Sequence, residues 1–298
     1  MWKGVRRTTL ALACLATVSL AAPRSASAGA WTPEPGHGYV KLWFKYLYGF
    51  DYAAGDGNIY GYGQYHEAFL AAYAEMGLVD RVALVLHSDL VRTFHLEDPR
   101  EGHGAESHFT PGDPYLGARV QFLQLDRFAM SAEVGVRAPF ARPGAVQTVY
   151  STDEGNPAVG ALMTGTGVWD VPLTLSAGYG FDDWYLAGSL GYVVRTEGFD
   201  HAVTWSLEGG ANLREEGFGF RGRLVGYHSL DVFFDEGAER TDSPSGINNG
   251  TSYLGFAVEG DVQVEPGWFV GATLEGGLGL LIRQTGGPVV TGYVANRF

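Results

Sequence analysis

Glu67, Glu75, Asp89, Glu133, Asp170, Glu208, Glu259, Asp261 and Glu275 each fall opposite the apolar face of an alternating segment. So do Lys41, Lys45, Arg81, Arg119, Arg137, Arg195, Arg221 and Arg223. On one face of a wall, such groups can pair with one another and polarise an enclosed aqueous space. An unpaired buried charge is costly, so nine acids against eight bases predict ion pairs across strands rather than a strongly ion-selective pore.

Other chemistries find less support. A serine hydrolase needs a hydroxyl within hydrogen-bond reach of a histidine. His87-Ser88 and His228-Ser229 are chain neighbours, which point to opposite faces of a strand. His95, Glu97, Asp98, Glu101, His103, Glu106 and His108 carry donors suited to a divalent cation, as do Asp231, Asp235, Glu236, Glu239 and Asp242. Their spacing follows no established ligand pattern and reads as solvated acidic loops, so no metal site is assigned. The glycine-rich stretches 55–63 and 276–279 lack a phosphate-loop lysine, and no cofactor is implied.

The charged residues are positioned by segments that alternate with period two. In VWDVPLTLSAGYGFDDWYLAGSLGYVVR, residues 168–195, apolar side chains take every second position on both sides of a polar break. That period is a strand's, not a helix's. The composition agrees, with 44 Gly, 17 Phe, 16 Tyr and 7 Trp against 4 Met. The pattern recurs over twelve segments, near 38–48, 65–77, 81–92, 114–123, 127–140, two within 168–195, 202–213, 217–228, 253–264, 268–281 and 287–298.

The N-terminus indicates export. Lys3, Arg6 and Arg7 precede an apolar run and then Ala26-Ser27-Ala28, so residues 1–28 read as a cleaved signal peptide and 29–298 as the mature domain. Cleavage would remove the single cysteine, Cys14, and four cations, moving the formal charge from −13 to −17. A chain so acidic is a poor partner for nucleic acid.

Short and long connections alternate along most of the chain, with those at 195–201 and 282–287 short for outer loops. Tight breaks fall at 77–80, 124–126, 180–183, 214–216 and 265–267; longer ones fall at 49–64, 93–112, 141–164 and 229–251. A soluble sandwich has no reason to sort its loops in this way, and in water the apolar rows would form an exterior larger than a monomer tolerates. The expected fold is therefore all-β: a closed antiparallel transmembrane barrel of about twelve strands, with short periplasmic turns and longer extracellular loops. Trp169, Trp184, Trp205 and Trp268 fit interfacial girdles, and a terminal Phe298 suits recognition by barrel assembly machinery.

Four stretches carry a resemblance: AWTPEPGHGYVKLWFKY, YAEMGLVDRVAL, GDPYLGARVQFLQLDRFAMSAEVGVRAPF and GTGVWDVPLTLSAGYGFDDWYLAGSLGYVVR. Together they resemble the outer-membrane transporter family named for the meta-cleavage pathway of phenol degradation. The resemblance implies a barrel linked to uptake of small, often aromatic, compounds, and carries no functional residues across. The expectation is a non-enzymatic channel in a Gram-negative outer membrane, surrounded by lipid and lipopolysaccharide, that passes small solutes passively. The alternatives are a non-conducting structural or partner-binding barrel and a membrane lipid hydrolase. Twelve strands predict a narrow, partly obstructed bore. Its candidate lining residues are Arg119, Glu133, Arg137, Asp170, Tyr185, Glu208, Glu259, Asp261 and Glu275.

Overall fold

The computed structural model describes residues 29–53, 59–97, 105–141, 147–151, 157–161, 165–213, 217–230, 250–282 and 284–298. In chain order the strands are β1 (Gly38–Ala53), β2 (Ile59–Val79), β3 (Val82–Glu97), β4 (Ala105–Thr110), β5 (Tyr115–Leu125), β6 (Phe128–Arg137), β7 (Gln147–Ser151) and β8 (Pro157–Ala161). They continue with β9 (Asp170–Gly180), β10 (Trp184–Arg195), β11 (Ala202–Leu213), β12 (Phe218–Ser229), β13 (Ser252–Glu265), β14 (Trp268–Ile282), β15 (Gln284–Gly286) and β16 (Val289–Arg297).

Twelve of these close a ring in which every neighbouring pair is antiparallel. The order is β1, β2, β3, β5, β6, β9, β10, β11, β12, β13, β14 and β16, and β16 returns to β1. Closure leaves the ring without an open edge, the condition a bilayer sets for a sheet. The chain's end completes the seam: Gly38 N donates to Phe298 O at 2.9 Å and Phe298 N to Gly38 O at 3.2 Å. Beyond the ring, β4 extends β3, β15 lies beside β1, and β7 pairs with β8 as a separate hairpin.

Alternation sets the two faces. Val40, Leu42, Phe44 and Tyr46 on β1, Leu173 and Leu175 on β9, and Val270 and Leu274 on β14 are exposed on the outside. Between them Glu67, Glu75, Arg119, Asp170, Glu208, Glu259 and Asp261 are buried on the inside. Exposed Trp184 and Trp268 lie at the rim that holds both termini, and exposed Trp169 at the opposite one.

Turns at the terminal rim are tight. Val79 pairs with Val82 and Leu125 with Phe128, each around two residues, with Arg81 at φ 62° and Asp126 at φ 48°. This corrects Arg81, expected on the inner face: it occupies the turn and is exposed beside Asp80 at 3.8 Å. At the other rim, β2 and β3 run well past their predicted ends at 65 and 92, and β4 lies inside the expected loop 93–112. Above the apolar belt nothing requires every second residue to be oily, so the pairing continues where the sequence signal stops.

Candidate lumen site

The inward charges are gathered into clusters, each built by neighbouring strands that bring every second side chain to one height. Arg119 on β5 donates to Glu75 on β2 at 2.9 Å and to Glu133 on β6 at 2.8 Å. Tyr73 and Tyr115 donate to those same carboxylates at 2.7 and 2.6 Å. A second cluster spans the closing seam. Lys41 reaches Glu259 at 2.9 Å, Arg221 pairs with Glu259 at 2.7 Å and also with Asp261, and the Tyr293 hydroxyl bridges Glu259 and Asp261 at 2.8 and 2.9 Å. Arg223 binds Glu208 at 2.6 Å, and Tyr185 donates to Glu208 at 2.5 Å. Lys45 pairs with Glu275 at 2.7 Å. The recurring unit is a carboxylate held by a cation and a tyrosine hydroxyl, charge-assisted contacts that offset the desolvation of both ions.

The tyrosines lie flat because glycines leave them room. A Cβ at Gly210 would overlap the ring of Tyr185, one at Gly271 the ring of Tyr293, and one at Gly117 or Gly135 the ring of Tyr115. Alternation places Tyr185 on the lumen side but gives these strand glycines no role. A strand glycine beside an inward tyrosine, as at Gly117, Gly135, Gly210 and Gly271, is the signal in the sequence that marks these ring positions.

All nine residues singled out from the sequence, Arg119, Glu133, Arg137, Asp170, Tyr185, Glu208, Glu259, Asp261 and Glu275, lie on inward rows of the ring. Arg92 was missed. A bulge between Leu70/Ala71 and Val91/Asp89 turns both Leu90 and Val91 outward and brings Arg92 inside, where it pairs with Glu67 and lies 3.6 Å from Asp89. It takes the place in the balance that Arg81 was expected to hold.

Residues 29–37 enter this lumen. Pro35 bridges to Gly77 at the terminal rim, where Gly36 N donates to Gly77 O at 2.9 Å. Further in, Thr32 donates from N and Oγ1 to Gln121 Oε1 at 2.8 and 3.0 Å. Trp31 meets Tyr185 edge-on at 6.4 Å, and its indole fills the space beside Gly178. Ala30 is fully buried, and Gly29 O accepts from Ser131 Oγ. The expected narrow bore is therefore obstructed by the chain's own N-terminal segment, which sequence reading missed because its prolines carry no strand period.

In the other half of the lumen Arg137 and Arg195 both face Asp170, at 3.5 and 3.4 Å. Tyr227 and Tyr253 stack across β12 and β13 with centroids 5.7 Å apart and planes 9° from parallel, and Trp43 stacks on His87 at 5.6 Å. Asp113, in the connection before β5, accepts from Ala141 N at 2.7 Å. Burial raises its carboxyl above the ordinary range, against the opposing pull of that hydrogen bond and of Arg137.

Neither adjacent serine–histidine pair is joined. Ser88 Oγ donates to Asp89 O, and His228 Nε2 accepts from Trp205 Nε1 at 3.2 Å. Among the described residues no group of three or more His, Cys, Asp and Glu is arranged to hold a metal. Asp98, Glu101, His103 and the acidic set 231–242 lie outside the described residues.

The closed ring, apolar outside and polar inside, defines the class by fold: a closed antiparallel β-barrel of the transmembrane type. Comparison with solved structures agrees. The COG4313 outer membrane channel from Pseudomonas putida F1 aligns over 92% of this chain and 99% of that one, at 13% identity and TM-score 0.61. Looser likenesses reach the CymD monoaromatic hydrocarbon channel (8% identity, 89% of both chains, TM-score 0.45). They also reach the translocator domain of autotransporter NalP from Neisseria meningitidis (12%, 98% of both chains, 0.49). At 13% identity the likeness assigns architecture and not substrate. No protein-family model matches the chain, and no curated relative does.

Proposed function

We propose that this protein is an outer-membrane channel through which small solutes pass passively, without catalysis. One observation carries the reading: the inner face of a closed twelve-stranded wall is polar and charge-paired, while the outer face presents aliphatic rows suited to acyl chains. The clusters consume most of the lumen's charge, which favours neutral or weakly charged solutes. The terminal rim then faces the periplasm, and outer-membrane lipid and lipopolysaccharide surround the wall. Cleavage after Ala28 would make Gly29 the first residue, at the inner end of the obstructing segment. Export of that kind would also bring Phe298 to the assembly machinery. The resemblance to the phenol meta-cleavage transporter family suggests small aromatic cargo, and Trp43, Tyr115, Tyr227 and Tyr253 supply aromatic surface on the lumen side. The test is solute efflux from proteoliposomes: a monosaccharide and phenol should leave faster than from protein-free vesicles, and a trisaccharide should not. Equal rates with and without protein would refute transport.

A further inference from the structure

Charge is not matched everywhere along the wall. Lys41 and Arg221 share Glu259 and Asp261, Arg119 has two carboxylates, Arg92 has two, and Arg223 and Lys45 have one each. Arg137 and Arg195 instead share a single one. Asp170 is the only carboxylate in ion-pair contact with either among the described residues, and both contacts, at 3.5 and 3.4 Å, are long for charge-assisted bonds. The side chain of Arg195 is 4% exposed, and its Nη1 is buried without a partner. A buried guanidinium nitrogen left unsatisfied is a standing cost that an incoming acceptor relieves. Arg137 is 40% exposed. Asp113, beside the Pro114 whose carbonyl accepts from Ala138 N, already accepts from Ala141 N.

What else lines this end of the wall narrows the ligand. The parallel Tyr227 and Tyr253 rings form a flat aromatic surface on β12 and β13. Arg137 and Arg195 close β6 and β10 at the rim where β12 ends and β13 begins, so both cations and both rings stand at the same end of the wall. Planar guanidinium forks match the two oxygens of a carboxylate, and ring faces favour a second ring.

We propose that Arg137 and Arg195, with the stacked Tyr227–Tyr253 pair, form a binding site for aromatic carboxylates in the lumen half away from the N-terminal segment. The proposal names a cargo class for the channel reading above and rests on it. A benzoate-like anion enters with its carboxylate toward the guanidiniums and its ring along the tyrosines. The partial neutralisation by Asp170 keeps the site weak enough to release its ligand onward.

Isothermal titration of the mature barrel in detergent with sodium benzoate tests the site without requiring conductance. Benzoate should bind at least tenfold more tightly than acetate or benzyl alcohol. Arg137→Gln should weaken benzoate at least tenfold, with partial recovery in Arg137→Lys. Tyr227→Leu should weaken benzoate several-fold and leave acetate unchanged; native heat-modifiable gel migration of each variant establishes that it is folded. Benzoate binding that is absent, or equal in the wild type and folded Arg137→Gln, overturns the site. A barrel that conducts but does not bind benzoate loses the site and keeps the channel; one that binds benzoate but does not conduct keeps the site and loses the channel.

Discussion

At the scale of residues, the lumen works by pairing. Arg119 is buried with Glu75 and Glu133 on either side, so its removal leaves two carboxylates facing each other without a cation. Breaking a buried pair of this kind costs about 3 to 5 kcal/mol. Arg119→Ala should lose that much in guanidinium unfolding of the refolded barrel, and adding Glu133→Gln should restore part of it; a loss below about 1 kcal/mol would show that water screens the cluster. These residues were legible because alternation names a face as soon as the strand is found. Arg81 and Arg92 were not. The first stands where a two-residue turn consumes the parity, and the second follows a bulge that shifts it by one. Alternation counts residues, and both features change the count without changing composition.

At the scale of elements, the wall and the N-terminal segment differ in how they are held. Each strand of the ring is hydrogen-bonded on both sides, whereas residues 29–37 are tied at separate points, among them the Pro35–Gly77 bridge, the Gly77–His37 bond, the two Thr32–Gln121 bonds, the Ser131–Gly29 bond and the Trp31–Tyr185 contact. Gly178→Val would occupy the space of the Trp31 indole and should raise solute flux several-fold with the ring intact; unchanged flux would mean that the segment does not limit passage. The strand rows make a separate demand. Leu175, near the middle of β9, faces outward, and an arginine near the bilayer midplane of a barrel costs about 2 to 4 kcal/mol. Leu175→Arg should lose that amount in vesicles but almost none in a micelle that adapts around it. Strands within the belt were readable because lipid and lumen impose opposite chemistries on alternate residues. The extensions of β2 and β3, the strand β4 and the N-terminal segment lie outside that double constraint, so their residues carry no periodic mark.

At the scale of the whole molecule, the ring closes through its two ends, β1 and β16, with Phe298 joined to Gly38. Removing Phe298 and the strand before it should abolish the folded barrel rather than shorten it, because both β1 and β14 would be left with open edges. The architecture was legible from loop parity and strand count together. The substrate was not, because strand-turn-strand patterns determine a wall and leave its cargo to a few lumen side chains.

Single-channel recording in planar bilayers tests the central claim most directly. Folded protein should give small, discrete, ohmic steps, and Gly178→Val should give larger ones. Folded and inserted protein that leaves the bilayer silent, in both the wild type and Gly178→Val, would contradict the account of this barrel as a passive channel.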